Sequence, residues 1–173
     1  MQYFLIEAET QDPLPEIINW YGKINPQYIN EKDADKIKNW ELLNVKVCQD
    51  TVFPDVLSDP FFMLSKNAAE IVSHYEPGIR MIGIQLFSRK NRILLPYFLP
   101  ILPMVNCLSS QSEFVNEDID ISKGVLVEKA ISSQALFQLA GIDTQRVVIR
   151  LDLLESLLRR EALSIRIQEL GVV

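Results

Sequence analysis

The chain has 173 residues, with 17 Lys and Arg against 23 Asp and Glu and a single His, for a formal net charge of −6. Its apolar share of 48% excludes a disordered or collagen-like chain, and two cysteines exclude a disulfide scaffold. The acidic balance also disfavours a protein that grips nucleic acid through phosphates, which requires a basic surface.

The length fits one domain, with residues 1–57 as an acidic, turn-rich N-terminal part and 58–173 as the main body. Tyr3–Ala8 reads as an opening strand. With no basic residues before it and an acid closing its apolar stretch, it is not a signal peptide. Pro13 and Pro15 interrupt the next stretch, and Glu16–Tyr21 suits a short helix or an irregular loop. Residues 25–39 are polar and open on the turn signal Asn25-Pro26, which predicts the most mobile part of the chain. Leu42, Val45 and Val47 alternate imperfectly and predict a strand over 41–48.

A first helix is predicted over 66–76, with Ser65 as cap, an apolar stripe of Ala68, Ile71, Val72 and Tyr75, and a stop at Pro77-Gly78. Ile82, Ile84 and Leu86 alternate as a strand, and Ser88–Asn91 turns into a second strand over 92–98. The run from Ile93 to Val105 is wholly apolar or proline. It is too short and too rich in proline for a transmembrane helix, so buried extended chain is expected. Further strands are expected at 101–107, 124–130 and 146–151, while 134–140 fits either a short helix or a strand. A second helix is predicted over 153–161, with Asp152 capping, Glu155 completing an acidic capping box, and Arg159 and Arg160 at the far end. Ile165 and Ile167 close the chain as a last strand. The expected class is therefore α+β, with a largely antiparallel sheet and two main helices.

Residues 1–59 carry 5 basic and 11 acidic side chains, and residues 60–173 carry 12 of each. The whole net charge thus belongs to the first third, either as a solvated acidic face or as a surface that steers a basic partner.

The search for chemistry finds little. His74 alone cannot build a multi-histidine metal site, and a structural role on its helix is favoured over a dyad with Cys48 or Cys107. The six glycines form no phosphate loop. Glu117, Asp118 and Asp120 lack the frame of a calcium loop and read as a solvated acidic turn, as do Asp33 and Asp35. No catalytic, cofactor or metal residues are predicted, and two isolated thiols fit a reducing cytoplasm. Trp20, Tyr21, Tyr28 and Trp40 stand out as large aromatics in the polar, acidic first third. They are either interface anchors, with Asp33 and Asp35 beside them, or packing for that segment.

An ordered series of features in the C-terminal half resembles a family of small bacterial immunity proteins of polymorphic toxin systems, whose domain was long labelled only as uncharacterised. The series begins with the Ser65–Tyr75 helix after Asp59-Pro60. It continues through Tyr97 and the prolines into Asn106-Cys107-Leu108-Ser109 and Ser112-Glu113-Phe114, then Leu136-Phe137 and Ile149-Arg150-Leu151-Asp152-Leu153 to Leu158-Arg159-Arg160. The family usually has Asp where this chain has Asn106, and often a glycine near Leu163-Ser164. The match spans roughly residues 58–170 and leaves out the first third. The resemblance implies a cytoplasmic protein that binds and neutralises a toxin without catalysis, while the acidic balance and the short, proline-broken apolar run point to neither a nucleic-acid nor a membrane partner. A small ligand-binding module and a Cys/His enzyme are the alternatives.

Overall fold

The computed structural model describes residues 1–115, 120–131 and 133–173. In chain order they form β1 (Tyr3–Ala8), β2 (Glu16–Ile18), β3 (Trp40–Lys46), β4 (Val56–Leu57), β5 (Met63–Ser65) and α1 (Lys66–Tyr75). Next come β6 (Arg80–Ser88), β7 (Ile93–Ile101), β8 (Met104–Val105), β9 (Glu113–Val115), β10 (Asp120–Lys123) and β11 (Val125–Leu126). The chain ends with β12 (Leu136–Leu139), β13 (Val147–Arg150), α2 (Leu151–Leu158) and β14 (Ile165–Val172). This is an α+β protein with mixed, largely antiparallel sheets, one of them curled into a half-barrel.

One six-stranded sheet runs β11-β14-β1-β13-β12-β8 and the other β2-β3-β6-β7-β5-β4, with β9 and β10 as a separate pair. The opening strand lies between β13 and β14, so the first residues of the chain are a central strand among the last. Ile6, Val147 and Ile149 face α1 and α2, while Leu5, Phe137 and Val148 form a cluster on the sheet's other side with Cys107 and Leu126. In the second sheet Leu43, Val45, Ile82, Ile84, Leu86, Tyr97 and Leu99 turn inward as a core of their own.

Several sequence expectations are corrected. Glu16–Ile18 is a strand, neither helix nor loop, because its amides and carbonyls pair with Asn44–Lys46 and Ile17 drops into the core. Residues 25–39, expected as the most mobile stretch, hold two 3₁₀ turns and, with Ile24 just before them, send Ala34 and Ile37 into the second sheet's core. Burial of those three side chains outweighs the polar composition around them. The 134–140 alternatives resolve to a strand. The run from Ile93 to Val105 is extended, as expected, but Leu94 and Met104 lie exposed. The expected strands at 101–107 and 124–130 shrink to the two-residue β8 and β11, the latter followed by a 3₁₀ turn at Glu128–Ala130. Glu117 and Asp118 lie outside the described residues. Asp120 opens a strand and holds Arg146, so it is not part of a solvated turn.

Helix α1 begins where expected. Ser65 Oγ accepts from the Ala68 amide at 3.2 Å and donates to Asp55, whose other carboxylate oxygen accepts from the Leu163 amide at 2.7 Å. Ser65→Ala is expected to cost about 1–2 kcal/mol, since it removes both the cap and the clasp on Asp55. A chemical-denaturation midpoint that does not move would overturn this.

Helix α2 starts two residues early. Its cap position is Arg150, which has no capping bond, and the Leu151 amide instead donates to Gln2 O at 3.1 Å. Asp152 therefore sits inside the first turn. Its carboxylate takes Nε and Nη2 of Arg150 at 2.8 and 2.9 Å and accepts from the Leu153 amide. Glu155 pairs forward with Arg159 rather than back to a cap. The helix leaves β13 without a loop, so the strand's last residue occupies the cap.

Candidate partner-binding face

The structure separates the six residues singled out in the first third. The Trp20 ring stacks on Tyr21 with centroids 4.1 Å apart and meets Phe61 edge-on at 5.9 Å. It thereby seals residues 19–39 onto the second sheet's core, which is packing rather than display. Tyr28 packs against the same core and carries the Lys36 ammonium 4.9 Å from its ring centroid. Lys36 also holds Asp33 at 2.7 Å, and this hydrogen bond keeps the Asp33 carboxyl below its ordinary value. Asp35 pairs with Arg80 at 2.6 Å, and Arg80 also reaches Asn39 at 2.9 Å. Both acids expected to steer a partner are thus locally matched by cations. Of the four aromatics, Tyr21 and Trp40 remain largely exposed, at 76% and 64%.

Trp40 lies on the other face of the sheet, and strand register shows its neighbours. Side chains alternate along a strand, so residues out of phase with Ile82, Ile84 and Leu86 point away from that core. Trp40 stands opposite Gly83, and Gly83 opposite Phe98. The next row is Leu42, Gln85 and Pro96, and the third is Ile18, Asn44, Phe87 and Leu94. Gly83 has no side chain to crowd Trp40, whose Cβ lies 3.5 Å from where a Gly83 Cβ would be. Helix α1 covers only the end of this face near Met81 and Phe98. There it leaves a groove of about 310 Å³ between Ala69, Ser73 and His74 on the helix and Met81 and Phe98 on the sheet. Beyond the groove the face is open, with Leu94 65% exposed. Apolar residues gathered on one sheet face, here around the polar Gln85 and Asn44, are a mark of an interaction site, unlike scattered single residues.

Sequence reasoning found Trp40 but missed Leu42, Phe87, Leu94, Pro96 and Phe98. The signal was there, since Met81, Phe87, Leu94 and Phe98 make this hairpin apolar on both faces. Reading that as two buried faces requires a cover, and α1 supplies only part of one.

Elsewhere the candidate groups for chemistry have separate surroundings. A ring nitrogen of the exposed His74 lies 2.6 Å from Glu70 O. Cys48 is exposed and bonded to Thr51, which holds its thiol below the ordinary value. Cys107 is buried beneath the first sheet, where desolvation pushes its thiol up to about 11. Among the described residues no group of three or more His, Cys, Asp or Glu side chains is placed to hold a metal ion. Among those residues, too, no helix is long and apolar enough to cross a membrane. No family model and no curated protein sequence matches the chain.

Proposed function

We propose that this protein is a non-catalytic binding protein of the immunity type, which neutralises a protein toxin by docking it on the outer face of the second sheet. The observation that carries the reading is the outer face of this sheet, where Trp40 and Leu94 are exposed, Leu42, Phe87 and Pro96 are half-buried with Gln85 and Asn44 among them, and α1 covers only one end. Interfaces concentrate their energy in a few aromatic and apolar anchors near the centre, which is the composition found here. The non-catalytic part is supported by the burial of Cys107 and by the bonds of His74 and Cys48, which go to Glu70 and Thr51 rather than to one another. The choice of a toxin as partner rests on the family resemblance of the C-terminal half.

The test is co-purification with the product of the gene directly upstream, followed by affinity measurements on variants. Trp40→Ala and Leu94→Asp are each expected to weaken binding by about 2 kcal/mol, roughly thirtyfold, with little change in the unfolding midpoint because both side chains are largely exposed. Trp20→Ala should instead lower stability. His74→Ala and Cys48→Ser are expected to leave binding unchanged. Unaltered dissociation in both Trp40→Ala and Leu94→Asp would place the interface elsewhere.

A further inference from the structure

The outer face ends at the β6–β7 turn, where Arg89, Lys90 and Arg92 stand together, all exposed. These three cations make no ion pair among the described residues, in contrast to the matched Asp33 and Asp35. The turn is held in shape. Ser88 Oγ donates to Asn91 Oδ1 at 3.0 Å and accepts from the Asn91 amide, the Arg92 amide donates to Arg89 O, and Arg92 takes a positive φ of 53°. The last apolar row before it is Phe87 and Leu94, directly paired across the hairpin. An unmatched cationic cluster therefore borders an open apolar sheet face, on a protein whose net charge is −6.

We propose that the partner lays an acidic, apolar segment on this face, with its acidic side chains against Arg89, Lys90 and Arg92 and its apolar ones over Phe87, Leu94 and Trp40. This rests on the outer face being the docking surface, and it assigns the partner the charge opposite to the one the acidic first third suggested. Complementary charge at the edge of an apolar patch fixes register and rejects wrong partners more than it adds raw affinity. The rest of the molecule carries the net negative charge and repels an acidic partner, so this end is where such a segment is matched. The geometry favours a protein over an anionic membrane. The apolar residues lie along the side of the sheet behind the cationic tip, whereas a membrane-inserting loop carries its apolar residues at the tip.

The experiment uses the full chain with Trp20→Phe, so that Trp40 is the fluorescent reporter. It is titrated with a short alternating Glu/Leu peptide, the matching Lys/Leu peptide, and vesicles of mixed phosphatidylserine and phosphatidylcholine. The expected result is a blue shift with the Glu/Leu peptide alone, weakened about tenfold by the charge reversal Arg89→Glu, Lys90→Glu, Arg92→Glu. Leu94→Asp should weaken it as well. Loss in Leu94→Asp with none in the charge reversal keeps the face and overturns the acidic partner. Loss in the reversal alone overturns the face itself, and the proposal with it. Preference for the Lys/Leu peptide or the vesicles, or no blue shift with the Glu/Leu peptide, overturns the proposal.

Discussion

Phe61→Ala is expected to lower the free energy of unfolding by about 3–5 kcal/mol, the loss typical of truncating a fully buried aromatic side chain. Phe61 is 1% exposed, belongs to the second sheet's core with Ile24 and Ile37, and meets Trp20 edge-on. Residues 19–39 cross the inner side of that sheet anchored by Ile24, Ala34 and Ile37, with Tyr28 and Ile29 packed beside them and Trp20 against Phe61. Removing the ring leaves a cavity directly beneath the segment and takes away the surface on which Trp20 is seated. The effect should therefore be local as well as global, with amides between Trp20 and Ile37 exchanging faster than those of β6 and β7. Phe61→Leu keeps most of the volume and should cost under about 1.5 kcal/mol. A loss of that size in Phe61→Ala, with uniform exchange, would show that residues 19–39 do not depend on this contact.

That segment also shows what a sequence discloses and what it withholds. Helix α1, the β6–β7 hairpin and β1 were legible because each has a local signal: Ser65 before a stripe of spacing three and four, and strict alternation in Ile82, Ile84 and Leu86. Residues 25–39 were not, because their order comes from Ile24, Ala34 and Ile37 meeting a sheet built from residues up to Ile101. Composition within the segment carries no trace of that surface. The same holds for β2, three residues long, and for β5, which pairs with Tyr97 and Phe98. The start of α2 was misplaced for a related reason. Asp152 looks like a cap until the Gln2 carbonyl, supplied by the other end of the chain, takes the Leu151 amide. For the candidate site, Trp40 was visible as an aromatic among polar neighbours. The face it belongs to required the pairing of Gly83 with both Trp40 and Phe98. The pairing of Asp33 with Lys36 is local and within reach of the sequence, whereas Arg80, the cation that matches Asp35, is 45 positions away.

Long-range pairing also governs the response to acid. Arg146 is expected to be the most costly polar residue to remove: Arg146→Met should lower stability by about 2–3 kcal/mol near neutral pH, with the penalty shrinking as the pH falls. Its guanidinium donates to both oxygens of Asp120, from Nε at 2.8 Å and Nη2 at 2.5 Å, and from Nη1 to Glu7 at 2.7 Å. Glu7 in turn accepts from Arg166, so one fork joins β10 to β1 and β14. About a quarter of each of the Arg146, Glu7 and Asp120 side chains is exposed, so these charges are only partly screened. The Arg146 hydrogen bonds, reinforced by the Ile121 amide and Thr144, pull the Asp120 carboxyl down to about 2. A folded value below the unfolded one means that the pair adds stability above the ordinary carboxylate range and loses it as pH falls from about 4 through about 2. With Met at 146 the carboxyl keeps only the Ile121 amide and Thr144 bonds, so folding favours its charged form much less. Variant and wild type should then converge as the pH falls through about 2, where Asp120 becomes protonated in both. Arg146→Lys keeps the charge but not the fork, and should recover part of the loss. Unfolding free energies measured from about pH 7 to about pH 2 check this, and a penalty that is constant across the range would mean that Arg146 acts by packing alone.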